Sequence, residues 1–382
     1  MKASFVEVAA VRLAVQRQLA ALALAPNDLV LVACSGGADS LALASGLAYE
    51  ANRVGRSTRS KGFAIRAGAV IVDHGLQLGS AEVATATATR CRALGLDPVL
   101  VRRVSVPQES GGAGPEGSAR AARYAALAAV ATALEVKAVL LGHTLDDQAE
   151  QVLLGLARGS GARALAGIPA ARGLYRRPLL GLRRVELRAA CAAQGLTWWD
   201  DPTNDLPEAL AAGVPLRTRV RHELLPALEQ VLGPGAAESL ARSANQLRDD
   251  ANALDELAIE LLAAATISAS SCASVSFPTS SCASVSFPTS SCASVSESQD
   301  PDIPPLALHL PTLVAAPRAI RTRALRLAAL AVGAPASALN HRHVAALEAL
   351  ASDWAGQGDT FLPSGASAGR ECDTLWFRRG PE

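Results

Sequence analysis

The fold is decided by residues 29–40, which read Leu29-Val30-Leu31-Val32-Ala33-Cys34-Ser35-Gly36-Gly37-Ala38-Asp39-Ser40. Four apolar residues in a row, followed by two small ones, predict a fully buried strand of a parallel sheet. A serine and two glycines then interrupt the apolar run, and an apolar pattern resumes at Ser40. The stretch therefore predicts a strand, a tight glycine turn and a helix start that follow one another without spare residues.

A glycine turn in front of a helix is suited to binding phosphate. Glycines let the backbone approach an anion closely, and the free N–H groups and dipole at a helix start favour negative charge there. We therefore expect the phosphates of a nucleotide to be bound by Ser35, Gly36, Gly37, Ala38, Asp39 and Ser40. A carboxylate here would repel phosphate unless a divalent cation lay between them, so Asp39 indicates either a magnesium ligand or a helix-cap residue. The alternative, an ordinary strand-to-helix turn, stays open on six residues alone.

Composition and charge restrict the class of protein. The chain has 382 residues, of which 50% are hydrophobic, so it is long enough for two or three domains with a real core and is not disordered throughout. Its 36 lysines and arginines nearly cancel its 35 aspartates and glutamates, so a nucleic-acid partner would need a local basic face. None of the seven cysteines belongs to a C-x-x-C pair, and no export signal or membrane-spanning run is visible. We expect a cytoplasmic protein that does not bind membranes.

Predicted helices and strands alternate strictly through the first part of the chain. A helix over residues 6–24 precedes the first strand, and the helix that starts at the glycine loop continues to about residue 52. Further strands are predicted at 67–72, 98–104 and 136–141, with helices at 80–94 and 116–135 between them. This alternation indicates parallel βαβ units. We therefore predict an α/β fold with a doubly wound, mainly parallel, Rossmann-like sheet.

Two of the predicted strands end in acids and histidines. Asp73 and His74 follow the strand at 67–72, while the strand at 136–141 is followed by His143, Asp146, Asp147 and Glu150. Ligands of doubly wound sheets bind at the carboxyl ends of strands, so both groups are well placed for a nucleotide site. If a helix starts near Asp146, Asp147 and Glu150 share a face and can hold magnesium or bind an ammonium group. The alternatives are a hydrogen-bonded turn at Asp73, and an acidic first turn that complements the helix dipole.

Arginines dominate two later segments. Eight arginines and a single acid, Glu186, lie between Arg158 and Arg188, an excess that suits a phosphate backbone but also fits a solvated surface. Further along, a predicted helix carries Arg217, Arg219 and Arg221, which cannot all share one face. At least one of them should point toward the core or the cleft, where its charge needs an ion partner or a ligand phosphate.

The rest of the chain is organised differently. A long helix over 235–265 is followed by the repeat SCASVSFPTS, present twice at 271–290 and then in part. A serine-rich tract cannot bury enough apolar surface to offset its ordering entropy, so residues 268–305 read as a disordered or loosely ordered linker. Beyond the linker, a helix over 317–330, a second helix that starts at Asn340 and a terminal hairpin predict a small α+β domain. The arginines of its first helix suggest nucleic-acid binding.

The motifs taken together resemble those of a known family. Residues 35–40 resemble the SGGxDS loop of the N-type ATP pyrophosphatases, the PP-loop superfamily, which cleave ATP between its α and β phosphates. The whole set resembles the tRNA(Ile)-lysidine synthetase family. Besides the loop, the matching motifs are Val72-Asp73-His74-Gly75-Leu76, Glu116 with Arg120 and Arg123-Tyr124, residues 143–150, Arg158-Gly159-Ser160-Gly161, Arg177-Pro178-Leu179-Leu180 and Asp201-Pro202-Thr203-Asn204.

The resemblance implies an ATP-dependent ligase that modifies tRNA. In that family ATP adenylates the 2-carbonyl oxygen of the wobble cytidine in the CAU-anticodon isoleucine tRNA and releases pyrophosphate. The ε-amine of free L-lysine then attacks that carbon and expels AMP, which leaves lysidine. The implied small molecules are therefore ATP, Mg²⁺ and lysine, and the resemblance allows a homodimer.

The resemblance also implies roles for individual residues. The glycine loop, Asp73 and His74 would bind ATP, Asp39 would hold magnesium, and Asp147 and Glu150 would bind the lysine ammonium group. The implied catalytic residues are Asp39, His143, Asp146, Asp147, Glu150, Arg217 and Arg219, of which Arg217 or Arg219 would bind the lysine carboxylate or the α-phosphate. The implied tRNA-binding residues are Arg120, Arg123, Arg158, Arg177, Arg321, Arg323 and Arg326.

The sequence patterns and the resemblance together divide the chain into four parts. These are a PP-loop catalytic domain at 1–215, a helical connector at 216–267, the repeat linker at 268–305 and a small tRNA-binding domain at 306–382. Three positions depart from the family pattern, namely Gln77, Gln151 and Thr218, and the segment at 206–216 is longer than usual.

Two other functions stay open on the sequence. One is tRNA thiolation by another PP-loop enzyme, which in some cases needs cysteines at defined positions. The other is an inactive module that still binds ATP and tRNA; the intact acid cluster after residue 142 argues against it.

Overall fold

In a computed structural model of the chain, the apolar run before the glycine loop forms β1 (Leu29–Ala33), which lies inside a six-stranded sheet. The other strands are β2 (Arg66–Asp73), β3 (Val99–Arg103), β4 (Ala138–Leu141), β5 (Ala171–Arg172) and β6 (Tyr175–Arg176). Their order is β3-β2-β1-β4-β6-β5, and every neighbouring pair is parallel except β5 and β6. Both edges of β1 are paired, and its apolar side chains from Leu29 to Val32 are buried because helices cover both faces of the sheet. The predicted doubly wound, mainly parallel sheet is confirmed.

The structure describes residues 4–56, 60–75, 79–105, 114–159, 161–201, 215–267 and 306–380. These residues belong to two compact units, Met1–Arg248 and Asp249–Glu382, and the sheet lies in the first unit. Several predictions lie outside the described residues: Leu76, Gln77, Ser160, Pro202-Thr203-Asn204, the longer segment up to residue 214, the side chain of Glu116 and the whole linker at 268–305.

Helices cover both faces of the sheet. They are α1 (Ser4–Ala20), α2 (Ala38–Glu50), α3 (Ser80–Ala93), α4 (Gly114–Ala133), α5 (Leu145–Ala157), α6 (Ala162–Leu165), α7 (Arg184–Ala193), α8 (Leu216–Arg219) and α9 (Leu225–Leu232), with a π-helical turn at Val220–Leu224. On one face α1, α2 and α7 pack through Val15, Leu41 and Leu187. On the other face Leu127 of α4 packs against β1 and β4. A last helix, α10 (Ala236–Ala265), begins in the first unit and ends in the second.

The second unit is a small α+β domain, as predicted. It contains α11 (Leu310–Ala315), α12 (Arg318–Ala331) and α13 (His341–Ser352), and an antiparallel sheet of β7 (Leu306–His309), β8 (Thr360–Phe361), β9 (Ser367–Glu371) and β10 (Thr374–Arg378) in the order β7-β10-β9-β8. The sequence predicted only a hairpin, because β9 reads Ser-Ala-Gly-Arg-Glu and has no apolar run. Its Ala368 is nevertheless fully buried beside Phe377. None of the helices in the described ranges combines the length and the apolar composition that crossing a bilayer would need.

Candidate active site

The glycine loop closes on itself at the carboxyl end of β1. The Ser40 hydroxyl donates to the Gly37 carbonyl at 2.9 Å and accepts from the Ser35 N–H at 3.1 Å. Gly36 has a φ of +91°, and a Cβ there would collide with the Thr87 side chain, so this position requires glycine. Among the described residues no side chain caps α2, which leaves the N–H groups of its first turn for a ligand. The loop has the geometry that a phosphate site needs.

The carboxyl end of β4 lies against the same helix start. A Cβ on Gly142 would come within 3.2 Å of the main chain of Asp39 and Ser40, so this glycine lets the two strand ends meet. Thr144 then caps α5, because it donates its N–H to the Asp147 carboxylate at 2.8 Å and its side chain accepts from the Asp147 N–H at 3.3 Å. The first turn of α5 is thereby held beside the loop.

Three carboxylates and three guanidinium groups meet there. We call them the charge cluster: Asp39, Asp147, Glu150, Arg184, Arg217 and Arg221. The carboxylates come from α2 and α5, and the guanidinium groups come from α7, α8 and the π-helical turn. The formal charges of these six side chains cancel, so the cluster is a neutral but strongly polar group at the edge of the phosphate loop.

Glu150 is the most deeply buried member of the charge cluster. Its side chain is fully buried, and each of its oxygens accepts a hydrogen bond at 2.7 Å, one from Arg217 Nε and the other from Arg221 Nε. A buried carboxylate is tolerated only when it is paired in this way. Arg217 and Arg221 lie four residues apart and so face Glu150 together, as expected for an inward-facing part of that arginine run. Arg219 turns away and pairs with Glu223 at 3.1 Å.

Asp147 joins the cap of α5 to the charge cluster. Its Oδ2 accepts from Thr144, while its Oδ1 lies 3.2 Å from both Arg184 Nη2 and Arg217 Nη2. Burial alone would raise the pKa of Asp147, but the two guanidinium groups and the Thr144 N–H outweigh it, so the pKa lies below its usual range. Asp147 therefore carries a negative charge at neutral pH. Asp147 thus takes part in both the cap of α5 and the charge cluster.

Asp39 is the least satisfied acid of the three. Its Oδ2 accepts from Arg184 Nε at 3.2 Å, while its Oδ1 is buried and has no hydrogen-bond partner among the described residues. Burial raises the pKa of Asp39 to about 6, against the opposing charge of Arg184. A buried, unpartnered carboxylate oxygen at a phosphate loop fits a Mg²⁺ ligand, because Mg²⁺ usually takes one or two carboxylates together with phosphate oxygens.

Asp146 faces a different way from its two acidic neighbours. Its Oδ1 accepts from Arg183 Nε at 3.0 Å and its Oδ2 from the Arg184 N–H at 2.7 Å. Asp146 thus fixes the start of α7 against α5. The contacts that the structure gives Asp146 are these positioning contacts with Arg183 and Arg184.

The expected acid and histidines follow the carboxyl ends of β2 and β4, and of the three only His143 is shown to interact with the charge cluster, through Asp147. Asp73 accepts from the Gly75 N–H at 2.9 Å, the turn contact that was the alternative for this residue. His74 and His143 are half-buried, and each has an Nδ1 without a partner among the described residues. Burial lowers the pKa of both rings, that of His143 to about 4. Both rings are therefore neutral at pH 7.

The arginines expected to bind tRNA in the first unit fall into two groups. Arg120 and Arg158 are exposed. Arg177 is buried and donates to the Pro169 carbonyl at 2.7 Å. Arg123 is half-buried against the Tyr124 ring, and burial lowers the pKa of its guanidinium. The exposed pair is the part of this set that a large anionic partner can reach directly.

The second unit holds its three expected arginines by internal contacts. Arg321 donates to both oxygens of Glu348 and to two carbonyls of the α11 end. Arg323 pairs with Asp255 at 3.0 Å, and Arg326 donates to the Leu339 carbonyl at 2.9 Å. Arg318 is the exposed member of α12, with a side chain 75% accessible.

The sequence reasoning did not assign Arg184 and Arg221 to the site. Arg184 lies in the basic run between Arg158 and Arg188, and Arg221 belongs to the alternating set with Arg217 and Arg219. Their partners lie 34 to 145 positions away in the sequence, so no local spacing could identify them. The one available signal was the acid pair on α5, because two buried carboxylates require cations from elsewhere.

Comparison with known proteins gives consistent matches. Residues 11–228 match the family model described as a PP-loop domain, and residues 308–376 match the model described as a TilS substrate binding domain. The tRNA(Ile)-lysidine synthase of Leifsonia xyli subsp. xyli is 47% identical over 340 residues, 89% of this chain and 87% of that protein. That of Thermobifida fusca is also 47% identical, over 366 residues, 96% of this chain and 95% of that protein. That of Streptomyces coelicolor is 45% identical over 355 residues, 92% of this chain and 86% of that protein.

Proposed function

This chain belongs to the tRNA(Ile)-lysidine synthase family, and we propose that it joins L-lysine to C2 of the wobble cytidine in CAU-anticodon tRNA(Ile) at the expense of ATP. The observation that carries this function is the charge cluster, in which a buried acid pair adjoins a phosphate loop through one shared arginine. The reaction needs both the phosphate loop and the acid pair, because ATP is a polyanion and the lysine side chain arrives as a cation.

The proposed reaction has two balanced steps. The 2-carbonyl oxygen of the cytidine attacks the α-phosphorus of ATP, and the bond to the β-phosphate oxygen breaks, so pyrophosphate leaves. The ε-ammonium group of lysine loses one proton to water, the resulting amine attacks C2, and the C2–O bond breaks to release AMP. The loop amides and the arginines of the charge cluster would stabilise the negative charge that develops on the phosphates in the first step.

Magnesium is part of this proposal. Asp39 would hold the ion through its unpartnered Oδ1, and the phosphate oxygens of ATP would supply further ligands. When bound, Mg²⁺ neutralises negative charge on the phosphates. The loop amides and the start of α2 would bind the same phosphates.

The lysine ammonium group is assigned to Asp147 and Glu150. Arginines contact Asp147 Oδ1 and both oxygens of Glu150, so an ammonium group needs one guanidinium to leave. We assign that movement to Arg217, since Glu150 keeps Arg221 when Arg217 withdraws and is never left unpaired. The α-phosphate of ATP is the anion that would draw Arg217 away. Arg219, which is exposed, remains a candidate for the lysine carboxylate.

The tRNA would be bound by basic residues of both units. Arg120 and Arg158 are the accessible candidates in the first unit, and the second unit, which matches the TilS substrate binding domain, contributes α12. The internal contacts of Arg177 and Arg321 suit residues that shape these surfaces, and Arg123, Arg323 and Arg326 remain candidates for direct contact. We also propose that the reaction takes place in the cytoplasm, that residues 268–305 act as a linker and that two chains can form a homodimer.

Incubation with ATP, labelled lysine and a CAU-anticodon tRNA(Ile) transcript tests the proposed function. We expect lysine to become covalently bound to the tRNA with one pyrophosphate and one AMP per lysine. The matched control is a methionine tRNA transcript, which carries the same anticodon. ATP cleavage with no lysine on the tRNA would contradict the function and would return attention to thiolation, which the same tRNA would reveal by uptake of labelled sulfur.

A further inference from the structure

One guanidinium group connects the two halves of the site. Arg184 Nε lies 3.2 Å from Asp39 Oδ2, its Nη2 lies 3.2 Å from Asp147 Oδ1, and its Nη1 lies 3.6 Å from Glu150 Oε1. The planar fork of arginine is what allows one side chain to meet three carboxylates in three directions. Its side chain is only 22% exposed, so water screens these contacts weakly.

The main chain of Arg184 is anchored to the helix that carries two of these acids. Its N–H donates to Asp146 Oδ2 at 2.7 Å, and the preceding Arg183 donates to Asp146 Oδ1 at 3.0 Å. Glu186 accepts from the Arg183 N–H at 2.6 Å and completes the first turn of α7. The main chain of Arg184 is therefore fixed against α5, whereas Arg217 lies in the first turn of the helical stretch that begins with α8.

The charges of the cluster indicate that Arg184 balances acids at both the phosphate loop and the acid pair. Three acids and three arginines form a neutral cluster, and withdrawal of Arg217 toward ATP would leave three negative charges against two positive ones. With Mg²⁺ beside Asp39, Asp147 and Glu150 would keep Arg184 and Arg221 as their cations, and an incoming ammonium group would compete with Arg184 for them. Arg184 also offsets the negative charge of Asp39 and Asp147 next to the place where the triphosphate binds, where an unpaired carboxylate would repel it.

We propose that Arg184 is a positioning residue that serves as the shared counter-ion of the ATP half and the lysine half of the site. This inference rests on the proposed function and adds a residue and a charge balance to it. Arg184 strengthens ATP binding by cancelling the negative charge of the acids beside the loop. It also competes with the incoming ammonium group for Asp147 and Glu150.

Replacement of Arg184 by glutamine should change ATP binding and lysine binding in opposite directions. We expect the dissociation constant for ATP, measured by calorimetry without tRNA, to rise about tenfold, because the loop then faces uncompensated acids. The KM for lysine in the ligation assay should fall by about threefold, because the acid pair has lost one competing cation. The matched control is Arg188→Gln, which removes an arginine from the next turn of α7 that pairs with Asp200 at the surface. We expect Arg188→Gln to leave both constants within about twofold.

A merely structural role would give a different result. If Arg184 only held the helices together, Arg184→Gln would raise both constants, and that outcome, or no change in either, overturns the proposal. Arg184→Lys keeps the charge and provides a test if the glutamine variant does not fold. Its ATP dissociation constant should stay within about threefold of the unmodified value, and a tenfold loss would contradict the counter-ion role. If the unmodified protein attaches no lysine, the proposed function fails, while the ATP measurement still tests Arg184.

Discussion

The two units each contain a buried arginine–carboxylate group, and the two groups differ in how completely they are satisfied. In the second unit Arg321 and Glu348 meet through several hydrogen bonds, and two carbonyls and Ser352 take up the remaining contacts. In the first unit the charge cluster shares arginines among acids and leaves Asp39 Oδ1 without a partner in the described part of the chain. A pair whose polar atoms all have hydrogen-bond partners cannot bind a ligand, whereas a cluster with an unpartnered polar atom can. The difference separates a structural group from a candidate active site.

The largest effect should come from the unsatisfied acid. Replacing Asp39 by alanine removes the proposed magnesium ligand, so we expect tRNA-dependent pyrophosphate release to fall by at least about 10³-fold. The matched control is Asp28→Ala at the opposite end of β1, where the carboxylate pairs with Lys137 at 3.8 Å, and it should retain release within about twofold. Near-normal release by Asp39→Ala would remove this residue from the reaction and erase the contrast between the two groups.

The pair of Arg321 and Glu348 should affect stability and not catalysis. Glu348→Ala leaves the guanidinium of Arg321 buried without its acid, and we expect a loss of about 3 kcal/mol in the free energy of unfolding of the second unit. Denaturant titration measures this loss, and the KM for lysine of the folded protein should not change. The double variant Arg321→Met with Glu348→Leu should recover most of the stability. A change in the lysine KM would show that this pair also contributes to the site.

The acid pair of the charge cluster should separate the two steps of the reaction. Asp147→Asn and Glu150→Gln keep the shape of each side chain and remove its charge, so we expect lysine-dependent turnover to fall by about 10²-fold, and adenylation of the tRNA to fall much less. Pyrophosphate release without lysine and lysine incorporation report the two steps separately. Equal losses in both would reassign these acids to magnesium.

The two arginine–carboxylate groups also show which features of the fold and the site can be predicted from the sequence. The buried strand, the glycine turn and the acids on α5 were predictable because each is a local pattern whose chemistry depends on neighbours in the chain. Arg184 and Arg321 were not predictable in the same way, since both stand in basic segments that suggest a phosphate backbone. The structure turns each of them inward to an acid from a distant helix. Counting charges along a chain does not give their direction, which depends on tertiary packing.

A pH titration should give the smallest effect and tests the histidine beside the charge cluster. Burial lowers the pKa of His143 to about 4, so between pH 6.5 and pH 4 the unfolded chain binds a proton that the folded chain does not. The stabilisation due to neutral His143 is therefore complete at pH 7 and is lost as the pH falls through this interval. His143→Gln removes this dependence, so the stability advantage of the unmodified protein over the variant should shrink by about 1 to 2 kcal/mol between pH 7 and pH 4.5. Asp39 titrates in both proteins and cancels in the difference, and the exposed His309, replaced by glutamine, provides the matched control. A difference that stays constant with pH would mean that His143 is protonated as readily in the folded protein as in the unfolded chain, and the unpartnered Nδ1 would then be open to water.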